Sequence, residues 1–326
     1  MLDYRICLTQ DFLALFITII IKKLNMLVQR VLTALVLATV VVLAIFELPP
    51  IFFSLFIAVI TLLAAWEWLA LISVDKLSSR IVFLVGLVFP MLGVTYWTVF
   101  LELISEVLEW PEVKDYSDAL EWFVIAPVLF WVLSMILIRK ASSQLLAIEF
   151  SPRIKSFVGW LVLFSAWMFL TKLRSYYGSG MVLYFLLLIW AADVSAYFVG
   201  KKWGKDKLSP EISPGKTVQG MYGALASALV CGIALRLYYG LSALESEESQ
   251  VAVLMSVDMI MLSILTVLIS IYGDLFFSLV KRKKGVKDSS ALLPGHGGIL
   301  DRIDSVIAAA PFFYAGIFLI GRSVFA

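Results

Sequence analysis

Between Ser278 and Asp304 the chain reads SLVKRKKGVKDSSALLPGHGGILDRID, a run that holds nearly every kind of group that handles phosphate. Lys281, Arg282, Lys283, Lys284 and Lys287 supply positive charge, and Gly295, Gly297 and Gly298 let backbone amides come close to an anion. Asp288, Asp301 and Asp304 add hard oxygen ligands, and His296 is the only histidine of the chain. Asp301 and Asp304 stand three residues apart, so they share a face of any helix already formed at Asp301. Carboxylates among phosphate-binding cations imply a divalent metal, most often magnesium. Asp274 joins this set: it follows Gly273 at the end of an apolar run, where a lone carboxylate is expensive and so marks a functional position. A Lys/Arg run after an apolar segment is, taken alone, only an anchor at the membrane surface. The company of the aspartates is what turns this run toward chemistry.

A second polar stretch, DVSAYFVGKKWGKDKLSPEISPGKTVQG, covers Asp193 to Gly220. It starts within an apolar run, with Asp193 one helical turn before Tyr197, and an acid so placed faces a polar cavity. Lys201, Lys202, Lys205 and Lys207 follow, and then Ser213-Pro214-Gly215-Lys216-Thr217, where Pro and Gly predict a tight turn presenting a lysine and two hydroxyls. This is not a Walker loop, because the GxxxxGK[ST] spacing is absent.

The elements that must position these residues cross a membrane. Of 326 residues 62% are hydrophobic and 15% charged, and mean hydropathy is +0.98. Such a chain cannot hide its apolar surface in one water-soluble core. With 23 Phe and 10 Trp it has the aromatic residues that bilayer interfaces favour. A net charge of +2 argues against nucleic acid as a partner, and the two cysteines, Cys7 and Cys231, form neither a disulfide framework nor a metal spacing. Runs near 30–48, 51–72, 80–101, 123–138, 156–171, 181–199, 221–241, 251–272 and 305–322 predict about nine transmembrane helices. The fold class expected is all-α and polytopic. Residues 1–25 read as an extension outside the mature protein, with Met26 as an alternative start, 26–140 as N-terminal transmembrane helices and 141–326 as a C-terminal catalytic region.

Charge between the spans orients them, since cytoplasmic loops collect Lys and Arg. With Arg30 inside, the acidic stretch Glu102, Glu106, Glu109, Glu112, Asp115, Asp118 and Glu121 falls outside, as do Glu245, Glu247 and Glu248. The loops of Arg139 to Lys155, Lys201 to Lys207 and Lys281 to Lys287 all fall inside, and the loop of Lys172 and Arg174 is the one exception. Both polar stretches then lie on the cytoplasmic side of the C-terminal helices, with two spans between them, and one shared site is allowed.

At these positions the chain resembles the CDP-diacylglycerol synthases, or phosphatidate cytidylyltransferases. The resemblance is carried by Ser278, Lys281-Arg282, Lys287-Asp288, Pro294, His296-Gly297-Gly298 and Asp301-Arg302-x-Asp304, and upstream by Asp193, Ala196, Tyr197, Gly200, Gly204, Lys207 to Pro210, Ser213-Pro214, Lys216-Thr217 and Gly220. It covers roughly residues 190 to 305. Phe277 stands where the family often has an acid, and Val218-Gln219 stand for a commoner Trp-Glu. The resemblance implies an enzyme of the inner membrane that moves a cytidylyl group from CTP to phosphatidic acid, releasing pyrophosphate. It assigns Asp274 and Asp301 to magnesium, with Asp304 and Asp288 as helpers and a second metal ion allowed. Lys281, Arg282, Lys287, Lys207, Lys216 and Arg302 are assigned to the phosphates, and Ser213 and Thr217 to hydrogen bonds. His296 either shapes the loop or contacts phosphate. A homodimer is compatible with such a fold.

Two rivals predict other patterns. A transporter scatters polar residues near the midplane in two matching halves, whereas here they cluster toward the C-terminus. Among lipid phosphotransferases, the CDP-alcohol group carries aspartates four apart along one helix, a spacing absent here, and a polyprenol kinase is separated by the nucleotide product.

Overall fold

The computed structural model describes residues 31–243, 249–293 and 296–325. Expectations for residues 1–25, Met26, Arg30, Glu245, Glu247, Glu248, Pro294 and Gly295 therefore lie outside the described residues. In chain order the helices are α1 (Val31–Glu47), α2 (Pro50–Leu71), α3 (Leu77–Thr95), α4 (Trp97–Val107), a 3-10 helix (Pro111–Val124), α5 (Ile125–Ala147), α6 (Pro152–Trp203), α7 (Val218–Ala243), α8 (Ser249–Lys284) and α9 (Leu300–Phe325). A two-stranded antiparallel hairpin, β1 (Lys207–Ser209) with β2 (Ser213–Thr217), connects α6 to α7.

Seven helices among the described residues are long and apolar enough to cross a membrane, and α1 is a shorter apolar helix. The architecture is all-α and polytopic, apart from the hairpin. The differences from the sequence reading have local causes. The gap expected between the spans at 156–171 and 181–199 holds the bend of α6 at Gly178, where φ is 79°, although the chain stays helical through Lys172 and Arg174. Side chains rarely adopt that backbone conformation, so glycine marks the bend. The span expected at 80–101 is broken after Thr95 into α3 and α4, and the acidic stretch beyond it winds into the 3-10 helix instead of an open loop. The basic run Lys281 to Lys284 is the last turn of α8, not a loop. Nothing stops that helix until Gly285, whose φ is 76°; there the Gly285 amide bonds the Arg282 carbonyl and the Val286 amide the Lys281 carbonyl, the paired bonds of a glycine C-cap.

The helices α6, α7, α8 and α9 pack against one another, and α2 lies on α6. An aromatic cluster joins the two parts of the chain: Trp68 of α2 and Trp131 of α5 meet Phe276 and Phe277 of α8, with Trp131 and Phe276 centroids 5.4 Å apart. Phe277, standing where an acid is common in the similar sequences, is thus core.

Side-chain contacts from the end of α8 place three connections at one end of the bundle. Lys284 donates to Ser73 Oγ between α2 and α3 at 2.7 Å, Lys283 to the Ile148 carbonyl between α5 and α6, and Arg282 to the Ile212 carbonyl in the hairpin at 3.2 Å. The two exceptional cations, Lys172 and Arg174, are consumed inside the protein. Lys172 pairs with buried Glu121 at 2.5 Å, and Arg174 donates to the carbonyls of Ile45 and Leu48 at 3.0 and 3.3 Å.

Candidate active site

The long α8 sets up the first half of the site. Asp274, Ser278 and Lys281 recur at helical spacing on one face, and Ser278 Oγ donates to Asp274 Oδ1 at 3.2 Å. Arg282, Lys283 and Lys284 point off that face to the carbonyls and hydroxyl already named. Of the basic run on α8, only Lys281 turns inward, and it is 8% exposed. Its ammonium group meets Asp301 Oδ1 at 2.7 Å.

Asp301 sits in the first turn of α9 and is saturated. Its Oδ2 accepts from the Ser289 amide at 2.8 Å, from Ser289 Oγ at 2.9 Å and from the Gly298 amide at 3.0 Å. The loop thus wraps its own donors round a helix-start carboxylate, a favourable place for negative charge. One turn on, Asp304 is buried, accepts from the Ser305 amide at 2.8 Å, and interacts electrostatically with Asp274, Lys281 and Lys216.

The hairpin delivers the remaining lysine. The tight turn is Pro210–Ile212, upstream of the Pro214-Gly215 turn that the sequence predicts, and Ser213 to Thr217 is an extended strand. Register pairs Lys207 with Thr217 and Ser209 with Ser213. From β2, Lys216 reaches Asp274 Oδ2 at 2.6 Å and the Ile271 carbonyl at 3.3 Å. Gln219 holds the approach to the hairpin by accepting from the Lys205 and Asp206 amides and donating to the Asp206 carboxylate.

A cavity of about 730 Å³ opens beside these groups. Asp193, Asp274, Lys281, Asp288, His296, Asp301, Arg302 and Asp304 line it, and Lys216 joins through Asp274. Beyond them the same cavity is walled by Val41 and Ile45 of α1, Phe53, Ile57 and Ile60 of α2, and Leu163, Trp167 and Leu170 of α6.

Other expected residues have other partners. Thr217 is buried, and its Oγ1 accepts from the Gly220 amide at 3.1 Å, so it caps α7, and it does not line the cavity. Arg282 straps the hairpin. The Gly298 amide is occupied by Asp301, and a side chain there would meet Ser289 Oγ at 2.0 Å and Glu67 Oε2 at 2.4 Å, so this glycine makes room for two side chains and not for phosphate. Gly297, at φ 84°, pairs its carbonyl with the Leu293 amide. Tyr197 lies on the outer surface with Lys201 5.7 Å from its ring centre. Lys207, Ser213 and Lys287 do not line the cavity.

Sequence reasoning missed Glu67, Ser289 and Ser290. Glu67 is 4% exposed and accepts from both serine hydroxyls. The signal was there, since a single acid in the apolar run AWEWLA is costly unless used.

Hard carboxylate oxygens at Asp274, Asp301 and Asp304 suit magnesium chemically. No three metal-ligating side chains converge among the described residues.

A model of the cytidylyltransferase family matches residues 28–320. Phosphatidate cytidylyltransferase of Haemophilus influenzae is 35% identical over 295 residues, covering 88% of this chain and 97% of that protein. The protein of the same name from Pseudomonas aeruginosa is 36% identical over 298 residues, covering 91% and 98%. That of Bacillus subtilis is 43% identical over 141 residues, 42% of this chain and 47% of its own.

Proposed function

The chain belongs to the cytidylyltransferase family, and from that premise we propose that its cavity is where CTP meets phosphatidate. The chain is an enzyme that transfers a cytidylyl group from CTP to phosphatidic acid, giving CDP-diacylglycerol and pyrophosphate. A phosphatidate oxygen forms the new bond to the α-phosphorus, the bond from that phosphorus to the bridging oxygen breaks, and pyrophosphate leaves with the electron pair. No oxidation state changes.

One observation supports the site: the charged end of the cavity is continuous with an apolar end, the shape of an amphiphile. Acyl chains stay among Phe53, Ile57 and Leu163 while the phosphate reaches Arg302 and the lysines. Keeping the chains in apolar surroundings matters, because each buried CH₂ is worth about 0.8 kcal/mol. Transfer of this kind is positioning plus electrostatic stabilisation. Lys216 and Lys281, which here neutralise Asp274 and Asp301, are the cations placed to turn toward an arriving triphosphate, releasing both carboxylates. Magnesium would be held by one or two of Asp274, Asp301 and Asp304 and would offset charge on the leaving pyrophosphate.

We also propose that α1 and both limbs of α6 cross the bilayer. A straight helix as long as α6 would span about 78 Å against a hydrocarbon core of about 30 Å, so its bend at Gly178 supports two crossings, and with α1 the count reaches about nine. The basic end is assigned to the cytoplasm of an inner membrane, supported by Lys281 to Lys284, Lys201, Lys202 and Arg139 gathering there.

The purified protein in detergent releases pyrophosphate from CTP only when phosphatidate and magnesium are both present, and ATP and GTP do not substitute. Release without lipid, or from ATP as readily as from CTP, would sink this reading.

A further inference from the structure

Glu67 stands near the end of α2, inside an apolar run, and is the acid in this part of the chain that the reaction does not use. A buried carboxylate is tolerated only when its oxygens are answered. Four donors answer this one. Ser290 Oγ and the Ile299 amide reach Oε1 at 2.6 and 3.0 Å, while Ser289 Oγ and the Leu300 amide reach Oε2, both at 2.8 Å. The two amides belong to the start of α9, where unpaired N–H groups and the helix dipole attract negative charge. The serines belong to the other end of the loop that follows α8. One carboxylate from α2 therefore ties both ends of that loop together.

The tie is one atom away from Asp301. Ser289 Oγ lies 2.8 Å from Glu67 Oε2 and 2.9 Å from Asp301 Oδ2, so its single proton serves one carboxylate at a time, while the Ser289 amide stays on Asp301. The Gly298 amide, next to the two amides that Glu67 holds, is the third donor on the same Asp301 oxygen. We propose that Glu67 is a positioning residue for cytidylyl transfer: it touches no substrate, but holds Ser289 and the first turn of α9 so that the free geometry of Asp301 is restricted to one orientation. The assignment rests on the Asp301 site proposed above. Glutamine cannot replace it, because its amide has one acceptor oxygen where both carboxylate oxygens are used, and its NH₂ meets donors.

The test uses the full chain in detergent, with Glu67→Gln and, as a milder variant that removes one of the four bonds, Ser290→Ala. Three quantities are read: hydrogen exchange of the amides from Gly298 to Asp301, the magnesium concentration for half-maximal turnover, and the KM for phosphatidate. Loss of a supporting partner of this kind costs about 10–100-fold, so Glu67→Gln is expected to speed that exchange by at least about tenfold, to raise the magnesium midpoint by about threefold or more, and to leave the KM for phosphatidate within about twofold. Ser290→Ala is expected to move the first two in the same direction by at least about twofold. Exchange and magnesium midpoint both at wild-type values overturn the proposal, whatever happens to turnover. If Glu67→Gln does not fold, Ser290→Ala is read in the same way. The exchange arm needs no catalysis, so it reports on the tie even if the cytidylyl-transfer reading itself fails.

Discussion

Asp301→Ala lowers CDP-diacylglycerol formation by roughly 10³-fold, since a preorganised charge at a transferring phosphoryl group is typically worth that order. Two losses combine. The carboxylate assigned to magnesium is gone, and Lys281, itself buried, is left with no partner at 2.7 Å. The Ser289 and Gly298 amides also lose their acceptor, which loosens the start of α9. Asp301→Asn separates these effects. It keeps an acceptor oxygen for the amides but not the charge, so it restores the loop without restoring turnover. Steady-state kinetics, alongside the thermal midpoint in detergent, checks this: an Asn variant that unfolds above the Ala variant, though below the wild type because buried Lys281 still lacks its partner, yet turns over as poorly as the Ala variant is the expected pair of results.

Lys216→Ala has the second largest effect, a fall of about 10²-fold in kcat/KM for CTP. Its ammonium group is brought to Asp274 by a five-residue strand, and nothing else in the hairpin reaches the carboxylate. The loss appears in the nucleotide terms more than in the KM for phosphatidate. Lys216→Arg does not rescue it, because a planar fork cannot sit where a compact ammonium spans Asp274 and the Ile271 carbonyl. Combined with Asp274→Ala the effects are far from additive, as expected for groups in contact. Full additivity would mean that the two side chains act on separate features of the reaction.

Much of this site is legible in the linear chain. Asp274, Ser278 and Lys281 are spaced so that any helix puts them on one face, and Asp301 and Asp304 stand one turn apart in α9. What cannot be read there is which way neighbouring cations point. Lys281, Arg282, Lys283 and Lys284 look equivalent in sequence, yet once α8 continues to Gly285 the helix turns only the first inward. Thr217 and Gly298 look like phosphate contacts because their residue types suit phosphate. The structure spends them on a helix cap and on a close approach instead. Glu67 was hidden for another reason. It is more than 200 residues away from the loop it holds, and periodicity does not report such distant pairings. The spans were legible by hydropathy, and the joint of α6 at Gly178 falls in the gap expected between 171 and 181. The break after Thr95 was not legible, because the chain stays apolar from Leu92 to Phe100.

The most direct test of cytidylyl transfer at this cavity follows the label. Purified protein in detergent, with phosphatidate and magnesium, is given CTP labelled at either the α or the γ phosphate, and lipid is separated from the aqueous phase. The account predicts that α label enters the lipid and γ label leaves as pyrophosphate. Label from the γ position in the lipid would mean phosphoryl transfer by a kinase, and no label in lipid from either position would contradict the account outright.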